Sequence, residues 1–98
     1  MNRDAVIAIL RAHEAPLRLR GVLRAALFGS TARNEARPDS DLDIMVEIDP
    51  SAHVGLYGYA GITRYIAELF PVPVDVAERE MLLEPVRATA ETDAVYAF

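Results

Sequence analysis

Neither cysteine nor lysine occurs anywhere in this chain of 98 residues. Without cysteine there is no disulfide framework and no thiolate metal site. Without lysine there is no Walker loop, which needs one to grip a phosphate. All ten basic residues are arginine. No apolar run approaches the roughly 18 residues of a membrane span. The opening Met1-Asn2-Arg3-Asp4 lacks the apolar core of a signal peptide, so a cytoplasmic location is expected. There is no internal repeat, low-complexity tract or linker. The two histidines do not make a zinc-hydrolase spacing, and neither is positioned by the sequence as the base of a serine nucleophile. His13 reads as a core-boundary residue and His53 as a loop residue. The net charge of -5 makes a poor general surface for long nucleic acid. It does not exclude a nucleotide, because a divalent cation inverts the local charge logic. The arginines are scattered, with a loose cluster at Arg18, Arg20 and Arg24. That cluster is either a solvated face or a basic rim for an acidic partner.

What remains is a chain that is 52% apolar, enough for one small domain over residues 1–98 with a marginally held core. Asn2 or Asp4 caps a first helix running to about Glu14, with Val6, Ile9, Leu10 and His13 on its buried stripe, and Pro16 ends it. Val22 to Phe28 reads as a strand, closed by Gly29-Ser30 and a helical turn through Glu35. Residues 36–40 form an exposed loop. Residues 41–49 are the clearest strand: Leu42, Ile44, Val46 and Ile48 face one way, and Asp41, Asp43, Met45, Glu47 and Asp49 the other. A period of two this clean implies a sheet packed on one face and largely open on the other. A helix is expected from roughly Leu56 to Phe70, with Tyr59, Ile62, Ile66 and Leu69 inward. A third strand runs from Val72 to Ala77 with Asp75 on its polar side. A short helix over Leu82 to Glu91, started or interrupted by Pro85, and an edge strand over Val95 to Phe98 complete the chain. Leu82, Leu83, Val86, Val95, Tyr96 and Phe98 either cover the core or make a surface for a partner or a second copy. This order predicts a small α/β domain, with a mixed sheet and helices mainly on one face.

The chemistry gathers around Gly29-Ser30 and Ser40-Asp41-Leu42-Asp43. Asp41 and Asp43 share one face of a strand, close to the Gly-Ser turn. If the strand of Asp75 is their neighbour, three carboxylates crowd together. Such charges repel unless a cation neutralises them, and hard carboxylate oxygens are what magnesium takes. Two magnesium ions at Asp41, Asp43 and Asp75 would suit in-line transfer at the α-phosphorus of a nucleoside triphosphate, with Asp75 activating the attacking hydroxyl. Gly29 lets the backbone approach a phosphate, and Ser30 offers a hydroxyl beside free N–H donors. Arg33 can reach a phosphate or pair with a site acid. Ser40 caps the loop or orients a carboxylate. Each residue alone has a plainer reading: Ser30 as a helix cap, Ser40 as a turn cap, Asp75 and Arg33 as solvated. The combination is what points to a site.

These residues resemble the minimal nucleotidyltransferases of the polymerase beta superfamily. The signature there is Gly-Ser, a small residue, Ala-Arg, a short gap, then Ser-Asp-x-Asp and apolar strand residues. It stands here as Gly29-Ser30-Thr31-Ala32-Arg33 and Ser40-Asp41-Leu42-Asp43-Ile44. The third acid of the family often stands in a Val-Asp-Val strand, matched by Val74-Asp75-Val76. The similarity spans residues 4–98. One departure is Asn34, where many members have glycine. The resemblance implies that Gly29 and Ser30 contact the triphosphate, that Asp41 and Asp43 hold magnesium, and that Asp75 completes the triad. Stand-alone domains of this size are similar to the MntA-type antitoxins of HEPN–MNT toxin–antitoxin pairs. That similarity implies transfer of AMP from ATP to a tyrosine of a cognate HEPN ribonuclease toxin. Two other readings stay open: an antitoxin that neutralises a partner by binding alone, and transfer to a small molecule or an RNA end.

Overall fold

A computed structural model describes all of residues 1–98. Its centre is a four-stranded sheet of order β3-β2-β1-β4, formed by β1 (Val22–Phe28), β2 (Leu42–Ile48), β3 (Val74–Glu78) and β4 (Val95–Tyr96). β2 pairs antiparallel with β1 and parallel with β3, and β4 closes the far edge antiparallel to β1. The sheet is therefore mixed, as the order of elements predicts.

The two faces of the sheet are unlike. On one, Leu42, Ile44 and Val46 join Val22, Ala25 and Leu27 in the main core. That core is covered by α1 (Arg3–Ala12), α2 (Glu14–Leu19) and α4 (Leu56–Ala67). α1 starts where Asn2 Oδ1 accepts the Ala5 N–H at 2.8 Å, and it buries Val6, Ile7 and Leu10. Its end is tied to the C-terminus, since Arg11 Nε donates to the Ala97 carbonyl at 2.9 Å. Pro16 does not end this first helix. The chain breaks earlier, at His13, and Pro16 sits in the first turn of α2, where its missing N–H would have had no partner anyway. α4 buries Ile62 and Ile66, with Tyr59 and Leu69 packed partly against the core.

The opposite face is less open than the alternation in β2 implies. A short helix, α5 (Val86–Asp93), lies across it, and Ala90 packs with Ala26 and Met45 in a second small core. Met45 is consequently 1% exposed, although it belongs to the row of Asp43 and Glu47. α5 starts after Pro85, later than the expected Leu82. Leu82, Val95, Tyr96 and Phe98 pack on the two cores, whereas Leu83 and Val86 face solvent. β3 begins at Val74 and not at Val72, and α4 stops at Ala67, short of the expected Phe70. No helix is long and apolar enough to cross a membrane.

The arginine cluster is not a free basic rim. Arg18 lies 5.1 Å from the centroid of Phe98, Arg20 4.8 Å from Tyr65 and Arg24 3.9 Å from Tyr96. Each guanidinium is stacked on a ring, an arrangement suited to a planar cation. His13 sits at the edge of the core, its Nδ1 2.7 Å from the Tyr65 hydroxyl.

Candidate active site

β1 ends at Phe28 and turns through Gly29 directly into a single helical turn, α3 (Gly29–Ala32). Gly29 has φ +75°, a conformation that favours glycine. Space matters as much as conformation here, because a Cβ on residue 29 would collide with the Asp43 carboxylate. Phe28 and Asp43 are register partners across the antiparallel pair, so the Gly-Ser turn lies against the first strand acid. On its other side Asp43 is the register partner of Asp75 in the parallel pair. Register partners on adjacent strands point to the same face, roughly 5 Å apart between strands. Asp41 stands two residues before Asp43, just outside β2.

The electrostatics bear the marks of that crowding. Asp43 is half-buried, and its carboxyl is pushed above the usual range. Burial is the main cause, followed by the charges of Asp75 and then Asp41, while Arg33 opposes the shift. The three acids therefore act on one another. They are not drawn into a closed cage: no three acid or imidazole groups in the chain gather tightly enough to hold a metal ion. The donor set still fits a hard divalent cation. It is all carboxylate oxygen, and Gly29 leaves open the volume that a side chain would fill beside Asp43.

The remaining signature residues divide between the site and its frame. Ser30 is not the cap of α3; that position belongs to Phe28, and no side chain caps the helix. The Ser30 carbonyl accepts the Glu35 N–H at 2.8 Å, which curls the turn. Asn34 takes φ 59°, a left-handed conformation that asparagine tolerates, so the departure from glycine leaves the turn intact. Arg33 is more occupied than expected: Nη1 donates to Asp93 Oδ2 at 2.6 Å and Nε to Glu35 Oε2 at 3.0 Å. The Ser40 hydroxyl accepts the Arg37 N–H at 2.8 Å, so its bond goes to the loop that delivers Asp41.

Asp93 as the partner of Arg33, and the placement of α5 on the acid face, are what sequence reasoning missed in this region. The one available signal was Met45, an apolar residue in a row of acids, which implied local cover on that face. Nothing in the spacing identified the covering element.

A Gly-Ser turn against Asp43, with Asp75 as its register partner and Asp41 two residues before it, is an arrangement suited to nucleotidyl transfer. The nucleotidyltransferase domain family matches residues 10–96, and the chain belongs to that family. Within it, the chain is similar to proteins named as protein adenylyltransferases. It is 33% identical over 99 residues to the protein adenylyltransferase MntA of Thermococcus cleftensis, covering 98% of this chain and 96% of that one. It is also 33% identical over 90 residues to MJ1379 of Methanocaldococcus jannaschii, named as a candidate protein adenylyltransferase, covering 90% of each. A solved structure described as a candidate minimal nucleotidyltransferase superposes with a TM-score of 0.79 at 29% identity, over 97% of this chain and 95% of that one. A toxin–antitoxin structure with AMP-PNP shares the fold, with a TM-score of 0.69 at 16% identity over 90% of this chain and 72% of that one.

Proposed function

We propose that this chain transfers AMP from ATP to a tyrosine hydroxyl of a cognate HEPN ribonuclease toxin, and in doing so acts as its antitoxin. The observation that carries this reading is the parallel pairing that sets Asp43 beside Asp75, with Asp41 and Gly29 next to them. A protein acceptor is favoured by the match to a relative named as a protein adenylyltransferase, which covers 96% of that relative.

Asp41, Asp43 and Asp75 are the residues that would hold magnesium. Bound there, the ion would neutralise phosphate charge and lower the pKa of the attacking hydroxyl. The bare Cα of Gly29 lets the triphosphate come close to the backbone, and Ser30 offers its hydroxyl there. Asp75 accepts the proton of the tyrosine hydroxyl as its oxygen bonds to the α-phosphorus. The bond from that phosphorus to the bridging oxygen breaks, and pyrophosphate leaves. Arg33 supplies positive charge beside Asp43 and opposes its protonation.

The test is incubation of the full chain with ATP labelled at the α-phosphate, magnesium and the HEPN protein encoded beside its gene. Label is expected on the partner and is expected to vanish with Asp41→Ala plus Asp43→Ala. Full neutralisation by that double variant, with no label from any nucleotide, would leave binding alone as the mode of action. Label on an RNA or small-molecule acceptor without the partner would replace the protein acceptor.

A further inference from the structure

We propose that the end of the sheet where β2 and β3 run out is a docking surface for the acceptor protein. Its occupant is a segment of that protein whose aliphatic side chains stand beside an arginine or lysine. This rests on the protein-acceptor reading above and extends it from the transfer chemistry to the surface that selects the partner. A hollow of about 420 Å³ lies there, between the start of α4 and the turn after β3. Ile48, Val54, Leu56, Tyr59, Met81 and Glu78 line it. Leu56 is 82% exposed and Met81 77%. Large apolar side chains left in water around one hollow mark a surface that a partner covers.

Charge decides what that partner carries. A second hollow, of about 460 Å³, shares Ile48 and Glu78 with the first and adds Leu23, Glu47 and Glu80. No arginine or histidine lines either one. Glu80 is answered by Arg79 and Arg87, at 2.9 and 3.1 Å. Glu47 has only Arg24 Nε, at 3.8 Å, and Arg24 is itself stacked on Tyr96. Glu78 forms no ion pair. The Tyr59 hydroxyl is held above its usual range, first by burial and then by the charge of Glu78, which fits a carboxylate with no cation of its own. A second copy of the chain suits this surface poorly. A two-fold interface joins the same patch of both subunits, and would set these acids near their own copies. An apolar segment with a cation complements both parts of the surface. Asp75 stands three residues before Glu78 on β3, roughly 10 Å along the strand, so a protein gripped here has the acids within reach of its own tyrosine.

The test uses the full chain and the HEPN protein encoded beside its gene. Leu56→Ser plus Met81→Ser removes apolar surface at exposed positions, Glu78→Arg reverses the charge, and thermal melting shows that each variant folds. Each is expected to weaken the complex, measured calorimetrically, by at least about tenfold. In transfer of labelled AMP, KM for the partner is expected to rise by a like factor, with kcat at saturating partner and KM for ATP within about twofold of the parent. The proposal is overturned if the folded variants keep the parent's affinity and KM, or if they lower kcat and leave KM for the partner unchanged. It is also overturned if the chain alone sediments as a dimer that the double variant splits, since a second copy then fills the surface. A parent chain that neither binds nor labels the HEPN protein removes the protein-acceptor reading as well.

Discussion

The two faces of β2 are built from alternate residues of one strand and obey opposite rules. Leu42, Ile44 and Val46 are all but sealed, at 1%, 0% and 0% exposure, in a core shared with three helices. Between them, Asp43 is half-buried beside two other acids. Glu47 keeps one carboxylate oxygen buried without a hydrogen bond, its nearest cation being Arg24 Nε at 3.8 Å. The first face stabilises the fold by removing carbon from water. The second holds charges together that would separate if they could. The lesson is that the site is a locally destabilised surface, mounted on a strand whose other side supplies the stability.

The largest expected break in this comparison comes from the sealed face. Ile44→Ala should cost about 2–5 kcal/mol, a large part of the 5–15 kcal/mol typical of a whole domain. Denaturant unfolding measures this, and nucleotide binding per folded molecule should survive. Asp43→Asn should do the reverse. Transfer should fall by at least roughly 100-fold, the scale of losing one preorganised electrostatic contact. The metal-free protein should melt higher. The sign follows from the raised carboxyl. Its favourable contribution is present below the ordinary carboxylate pKa and is lost as pH rises through the raised value, so at neutral pH the native state carries the penalty that asparagine removes. An unchanged or lowered Tm for Asp43→Asn would sink the claim that this face is strained.

Gly29→Ala should come next, with about 1–2 kcal/mol from the left-handed backbone together with displacement of the Asp43 carboxylate. Its signature is a joint loss of Tm and of labelled product, where the two preceding variants separate them. The smallest effect sharpens the contrast between two acids of one segment. Asp49, just past the end of β2, is held below the usual carboxylate range by the hydroxyl and N–H of Ser51. Its contribution is present above the ordinary pKa and lost as pH falls through the lowered one. Asp49→Ala should therefore lower Tm slightly at pH 7, a loss opposite in sign to the gain for Asp43→Asn, and both differences should shrink in acid.

Much of this was legible in the chain because β2 alternates so cleanly: one period of two identified the strand, its buried row and its acid row. The Gly-Ser turn was legible for a related reason, since a backbone needing φ +75° beside a carboxylate leaves a glycine behind. Three things were not legible. The break at His13 was hidden because Pro16 looks like a terminator, yet proline is tolerated in a first helical turn. The cover over Met45 depends on α5, some 40 residues away in sequence, and no local pattern encodes which face a distant short helix will choose. The Ser40 hydroxyl could have served either the loop or an acid, and only the fold of residues 37–40 decides for the loop.

The parallel register of β2 and β3 has a temporal consequence. Parallel neighbours need a return path, and here α4 provides it between residues 48 and 74. Asp75 can reach its station only after that crossover has docked, so an incomplete or partly opened chain holds two of its acids and lacks the third. On the function proposed above, competence for transfer is thereby tied to docking of that crossover.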